Sequence, residues 1–128
     1  MSLPHIYRGK VRDVYDAGEG RLLMVASDRI SAFDRVFREV VPDKGRVLTA
    51  MTQFWTEVLS DLAPTHLLTA DPDGFPPGAE SIEGVAGRAM LVRRAEMLPI
   101  ECIVRGYVAG SAWKEYITSG TMHGTTLP

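Results

Sequence analysis

Cysteine is nearly absent from this sequence: Cys102 stands alone. One thiol excludes an internal disulfide and any metal site built from several cysteines, and it fits a reducing, cytoplasmic setting. Long apolar runs are missing as well. No stretch approaches the ~20 residues that a membrane span needs, and the opening MSLPHIYRGK has no signal-peptide core. Neither sign of charge dominates. Fourteen basic residues face sixteen acidic ones, for a net charge of −2, which argues against a nucleic-acid or anionic-membrane surface as partner. His5, His66 and His123 are too scattered for a metal-ligand pattern. The phosphate-loop pattern Gly-x-x-x-x-Gly-Lys-Ser/Thr and the nucleophile pattern Gly-x-Ser-x-Gly do not occur.

What is present is the composition of a globular domain. The chain has 128 residues, 45% of them hydrophobic and 23% charged, enough to bury a core. HIYRGKVRDVYDAG reads as two strands around a Gly9-Lys10 turn. GEG marks a second turn before RLLMVAS, a buried strand over 21–27. SDRISAFDRVF is too mixed to assign, and REVVP reads as a short strand ended by Pro42. Over 43–62, Val47, Leu48, Met51, Phe54, Trp55, Val58, Leu59 and Leu62 recur at helical steps, so a helix capped by Asp43 is expected to pack this stripe on a sheet. TADPDGFPPGAESIEG reads as a loop, RAMLVRRAEML and IECIVRGY as two more strands. AWKEYITS reads as a helix with Ser111 at its N-cap and Gly120 at its end. SGTMHGTTLP reads as a frayed tail or as a cut inside a longer protein. The fold class expected is α+β, with a mostly antiparallel sheet and packed helices.

MLPIECIVRGYVAGS poses the sharpest question. As a strand it puts Ile100, Cys102 and Val104 on one face and Glu101, Ile103, Arg105 and Tyr107 on the other. Cys102 would then be an inert buried thiol. Glu101 and Arg105 would lie roughly 13 Å apart, too far to pair, and an unpaired buried charge is too costly to keep. Two structural charges at a solvated edge are one answer. The other starts from Gly106, Gly110 and Ser111, which follow Arg105 into a helix start. Free amides, close backbone approach, a hydroxyl and a bidentate guanidinium together suit a phosphate or carboxylate.

YRGKVRD is a second candidate: Lys10 follows Gly9 at a hairpin tip with Arg8 and Arg12 beside it, suited to a polyphosphate or simply solvated. ASDRISAFD is a third. Asp28, Arg29, Ser31 and Asp34 crowd the end of an apolar strand, where function gathers, and helix capping by Asp28 or Ser31 is equally natural.

The stretch from Met97 to Ser111 resembles the signature segment of the SAICAR synthetase (phosphoribosylaminoimidazole-succinocarboxamide synthase) family at every position. YRGKVRDVY, ASDRISAFD and PDKGRVLTAMTQFW are similar to that family's N-terminal segments. The resemblance implies a soluble ligase of de novo purine biosynthesis. It would join L-aspartate to carboxyaminoimidazole ribonucleotide (CAIR) with ATP and magnesium, by phosphorylating the substrate carboxylate and letting the aspartate amine displace phosphate. It implies that Gly9, Lys10 and Arg12 meet the ATP phosphates and that Arg94, Ala95 and Met97 lie at adenine. Arg105, Gly110 and Ser111 would hold the nucleotide substrate, with Asp28, Ser31 and Asp34 nearby, and Glu101 would orient them without touching ligand. Residues 1–95 would form the ATP-binding lobe, and 96–128 the hinge and start of a second lobe. The family's Asp-x-Lys-x-Glu segment is absent, so the magnesium ligands are expected outside this chain and the chain alone is expected to be inactive. A non-catalytic nucleotide- or anion-binding module is the alternative; oligomeric state is left open.

Overall fold

The computed structural model describes residues 2–100 and 102–127. The chain divides into two compact units, Met1–Glu96 and Met97–Pro128. The first is built on a five-stranded antiparallel sheet of order β1–β2–β3–β7–β6. Strands β1 (His5–Arg8), β2 (Arg12–Asp16) and β3 (Arg21–Ala26) follow one another through tight turns, as the alternation predicts. Strand β7 (Ala89–Arg93) pairs with β3, with Leu23 opposite Leu91 and Val25 opposite Ala89, and β6 (Leu67–Thr69) adds the far edge.

Strands β3 and β7 are almost continuously apolar because both of their faces are covered. Leu23, Val25, Ala89 and Leu91 share one face and form a core with Ala17, Ala79 and Ile82. The last two come from the loop rich in Pro and Gly, which folds back through 3-10 turns at Pro72–Gly74 and Ala79–Ser81. On the other face lie Met24, Ala26, Met90 and Val92, and helix α1 (Lys44–Val58) runs against β3.

Helix α1 sits where the periodicity puts it, yet it packs with a different face from the one expected. Gly45 and Thr49 are buried and Thr52 and Thr56 half-buried, at steps of four, three and four along one side. The large apolar stripe is exposed: Val47 56%, Met51 50%, Phe54 57% and Trp55 51%. Close approach explains the choice. A Cβ at Gly45 would lie 2.7 Å from the Ala26 carbonyl oxygen, so only small side chains fit between helix and strand. Gly45→Ala should therefore destabilise the first unit by about 1–2 kcal/mol despite alanine's better helix propensity, read as a lower midpoint in urea. An unchanged midpoint would show that the helix start shifts freely.

Asp43 does not cap this helix. It adopts φ 61° and its side chain makes no cap hydrogen bond; that task falls to Asp28, described below. The segment too mixed to assign is a separate two-stranded hairpin, β4 (Arg29–Ala32) and β5 (Arg35–Val40). Its turn residues Phe33 and Asp34 both have positive φ, 49° and 63°. Two left-handed residues give the turn a twist that matches the strands, though neither is the glycine that would have announced it.

In the second unit, helix α2 (Ser111–Ser119) ends at Gly120, whose left-handed backbone lets its N–H reach the Tyr116 carbonyl at 2.8 Å. Ser111 is the first helical residue rather than the N-cap; Gly110 holds the cap position. Residues 121–126 are no frayed tail: β8 (Thr121–Met122) and β9 (Thr125–Thr126) pair around His123-Gly124. The strand expected over 100–107 is not formed among the described residues. Val104 is 99% exposed and Ile100 70%, and Cys102 is exposed rather than buried. A β-branched run becomes a strand only when a ladder partner and a packed face are supplied, and no described residue pairs with this segment. Glu101 lies outside the described residues. No helix among the described residues is long and apolar enough to cross a membrane.

Candidate functional site

The first unit brings YRGKVRD and ASDRISAFD together. The tip between β1 and β2 closes with the Gly9 N–H donating to the Arg12 carbonyl at 2.7 Å. Arg29, at the start of β4, reaches across to it. Its Nε donates to the Lys10 carbonyl at 3.1 Å and its Nη2 to the Gly9 carbonyl at 3.2 Å. Nη1 and Nη2 both donate to Asp13 Oδ2 at 3.0 Å. Ser27 holds the next carbonyl, that of Val11, through its N–H at 3.0 Å and its Oγ at 2.9 Å. The Lys10 ammonium lies on the Asp34 carboxylate at the β4–β5 tip. That hydrogen bond, with the ammonium charge behind it, holds the Asp34 carboxyl below its usual range.

Asp28 takes the capping role rather than an open one. Its carboxylate accepts from the Gly45 N–H at 2.9 Å, the Asp43 N–H at 3.2 Å and Arg88 Nη2 at 3.0 Å. The Gly45 hydrogen bond foremost, then the Arg88 charge, hold its pKa below the ordinary value against the opposing effect of burial. A carboxylate fifteen or more residues upstream thus supplies the helix N-terminus with the oxygens that Asp43 withholds. Ser31 is half-buried on β4 opposite Val36.

Arg12 points elsewhere. It lines a 510 Å³ cleft with Met51, Trp55 and Leu59 of the exposed helix stripe. Just beyond β7, the Arg94 N–H donates to the Gly20 carbonyl at 2.7 Å, and its guanidinium is 3.9 Å from Asp16. Ala95 is exposed and, like Glu96, makes no backbone hydrogen bond to a described residue.

In the second unit Met97 is 85% exposed. Arg105 lines a 290 Å³ hollow with Tyr107, Ala112 and His123, among others. Its Nη1 would be 3.4 Å from a Cβ at Gly110, whose φ of 63° and ψ of −129° suit glycine alone. The guanidinium therefore lies against Gly110, the residue before α2, and it makes no ion pair with a described residue.

Arg29 was singled out within ASDRISAFD but without a partner, and Asp13, Ser27 and Arg88 were not among the residues expected to matter. Their sequence gave no signal, since partners 16 and 60 residues apart meet only in the folded sheet. Among the described residues no three His, Cys, Asp or Glu side chains gather as a metal site would require.

Comparison with known proteins settles the family. Residues 5–128 match the SAICAR synthetase family. The chain belongs to the SAICAR synthetase family. The phosphoribosylaminoimidazole-succinocarboxamide synthase of Syntrophotalea carbinolica is 54% identical over 131 residues, covering 99% of this chain and 43% of the relative. The SAICAR synthase of Saccharomyces cerevisiae, solved with SAICAR, superposes with a TM-score of 0.84 at 43% identity over 98% of this chain and 45% of its own. A type-2 SAICAR synthetase solved with ADP shares the fold, with a TM-score of 0.67 at 23% identity over 95% of this chain and 46% of its own. This SAICAR synthetase-family chain thus spans 41–43% of the length of curated relatives such as these. The α+β fold with an antiparallel sheet is that of the family's solved members.

Proposed function

We propose that this chain is the nucleotide-gripping front portion of a ligase that joins L-aspartate to CAIR, consuming ATP and releasing SAICAR, ADP and phosphate in purine biosynthesis in the cytoplasm. One observation carries the reading: the Gly9-Lys10 tip presents an ammonium and open backbone, braced from behind by the Arg29 guanidinium, in a chain whose relatives are such synthetases. Lys10 and the backbone that follows Gly9 would take the ATP phosphates; the Gly9 N–H closes the turn on the Arg12 carbonyl, and Arg12, in the cleft with Trp55, would add only its charge. The free backbone at Ala95 and on to Met97 would meet adenine. In the second unit Arg105, Gly110 and Ser111 would receive anionic groups of the nucleotide substrate; in the first, Ser31 and Asp34 are proposed as substrate contacts. Asp28, held by three donors, would serve that region by fixing the start of α1. Residues 1–95 would be the ATP lobe and 96–128 the hinge and the beginning of a second lobe. The protein's contribution to the chemistry is positioning and charge neutralisation for phosphoryl transfer.

Magnesium would accompany ATP and neutralise its phosphates; no three candidate ligands meet among the described residues, and an ion held mainly by phosphate and water needs only one or two carboxylates. The chain's span of only 41–43% of its relatives' length favours a second reading for the chain by itself, a nucleotide-binding module without turnover. Two measurements separate these. ATP at millimolar concentration should raise the melting temperature by a few degrees, and adenosine should do less. With ATP, CAIR and aspartate present, ADP release by this chain should stay far below the ~10 s⁻¹ typical of enzymes. Arg105→Ala should weaken CAIR binding roughly tenfold or more while sparing ATP. A melting temperature indifferent to ATP removes the nucleotide reading, and rapid ADP release removes the module.

A further inference from the structure

Arg29 is the most connected side chain of the first unit and has no place in the function as stated so far. Its guanidinium is 21% exposed and Asp13 is 18% exposed. The fork donates to two successive carbonyls, Gly9 and Lys10, and to a carboxylate. A trans peptide is planar, so the carbonyl of one residue and the N–H of the next point in opposite directions. Holding the Gly9 and Lys10 carbonyls inward therefore turns the N–H groups of Lys10 and Val11 outward. Neither of these amides donates to any described residue, and both lie outside the β1–β2 and β2–β3 ladders. Two adjacent, outward, unpartnered amides beside an ammonium can donate together to one anion.

We infer that Arg29 is a positioning residue that shapes the hairpin tip into a polyphosphate cradle made of the Lys10 and Val11 amides and the Lys10 ammonium. The inference rests on the ATP reading given above and deepens it by naming what holds the tip in its binding shape. Asp13 is part of the device. It anchors the far edge of the fork, and it is itself flanked by His5 at 3.4 Å and Arg8 at 3.9 Å. A lysine at 29 would keep the positive charge, but one ammonium cannot span two carbonyls and a carboxylate in a fixed plane.

The test uses the ¹⁵N-labelled chain and inorganic tripolyphosphate, which has the anion but no adenine. The Lys10 and Val11 amide resonances should move on titration and saturate. In Arg29→Lys the same shifts should need about tenfold more tripolyphosphate, while resonances of β3 and β7 stay in place. An unchanged affinity in Arg29→Lys would mean that Arg29 only supports the fold and would overturn the proposal. If Arg29→Lys does not fold, the parent chain decides: Lys10 and Val11 amides that tripolyphosphate leaves unmoved overturn it equally. The ATP reading fails separately. In that case tripolyphosphate moves both amides, yet ATP binds no tighter than tripolyphosphate and the Ala95 amide does not respond to it.

Discussion

Asp28→Ala should lower the melting temperature of the first unit by roughly 10–15 °C at pH 7. Three donors converge on this carboxylate: the Gly45 and Asp43 N–H groups and the Arg88 guanidinium. The variant leaves the start of α1 without oxygens and leaves Arg88, only 30% exposed, without its countercharge. Both losses fall on groups that water reaches poorly, which is why the effect should exceed that of an ordinary surface cap. Asp28→Asn should fall between, because asparagine caps helices well but cannot neutralise Arg88. The pH dependence follows from the same contacts. The folded carboxyl titrates below its ordinary 3.8, so its contribution is fully present above that value. It is lost as the pH falls through the lower, folded one. The gap between parent and Asp28→Ala should therefore be widest near neutrality and narrow below about pH 4. Thermal melts at pH 7, 5 and 3 measure this. A drop of no more than a degree or two at pH 7 would mean that water replaces the cap without cost.

That cap also marks where sequence reading stops. Strands β1 to β3 were legible because their turns carry Gly9-Lys10 and Gly18-Glu19-Gly20 and their apolar residues alternate or run continuously. Helix α1 was legible as a helix, since periodicity reports conformation. Its packing face was not, because Gly45 against the Ala26 carbonyl is a distance between two elements, and hydrophobicity alone favoured the wrong side. Of the two capping candidates, Asp43 was assigned to this helix wrongly, while the capping role open to Asp28 is the one it takes. Asp43 is the local candidate, and nothing local shows that Asp28 folds back onto the same helix. Phe33-Asp34 hid a hairpin because its left-handed turn uses residues that rarely adopt it. The run from Ile100 to Tyr107 has strand-forming side chains but no described strand to pair with, so propensity had nothing to act on.

The candidate site shows the same division. YRGKVRD and ASDRISAFD were each recognisable as polar clusters at the ends of apolar strands. Their union was not, since it depends on a guanidinium in β4 reaching the tip of another hairpin. Arg105 and Gly110 were legible together because they stand five positions apart just before the start of α2, so their contact is nearly local.

Lys10→Ala should weaken ATP binding by roughly 30- to 100-fold, the loss expected when a charge-assisted contact to phosphate is deleted. The partner variant makes the argument specific. In the absence of ligand the ammonium rests on Asp34, so phosphate must displace that carboxylate, and the two anions compete for one cation. Asp34→Asn removes the competitor while leaving Lys10 in place, and ATP affinity should then rise about threefold at low salt. The rise should shrink as salt screens both interactions. In the double variant, with no ammonium to compete for, the Asp34→Asn gain should vanish. Isothermal titration of the four chains gives the coupling directly. An equal gain from Asp34→Asn with and without Lys10 would mean that Asp34 repels the nucleotide on its own. The Lys10–Asp34 pair would then be a surface contact rather than the resting state of the phosphate grip.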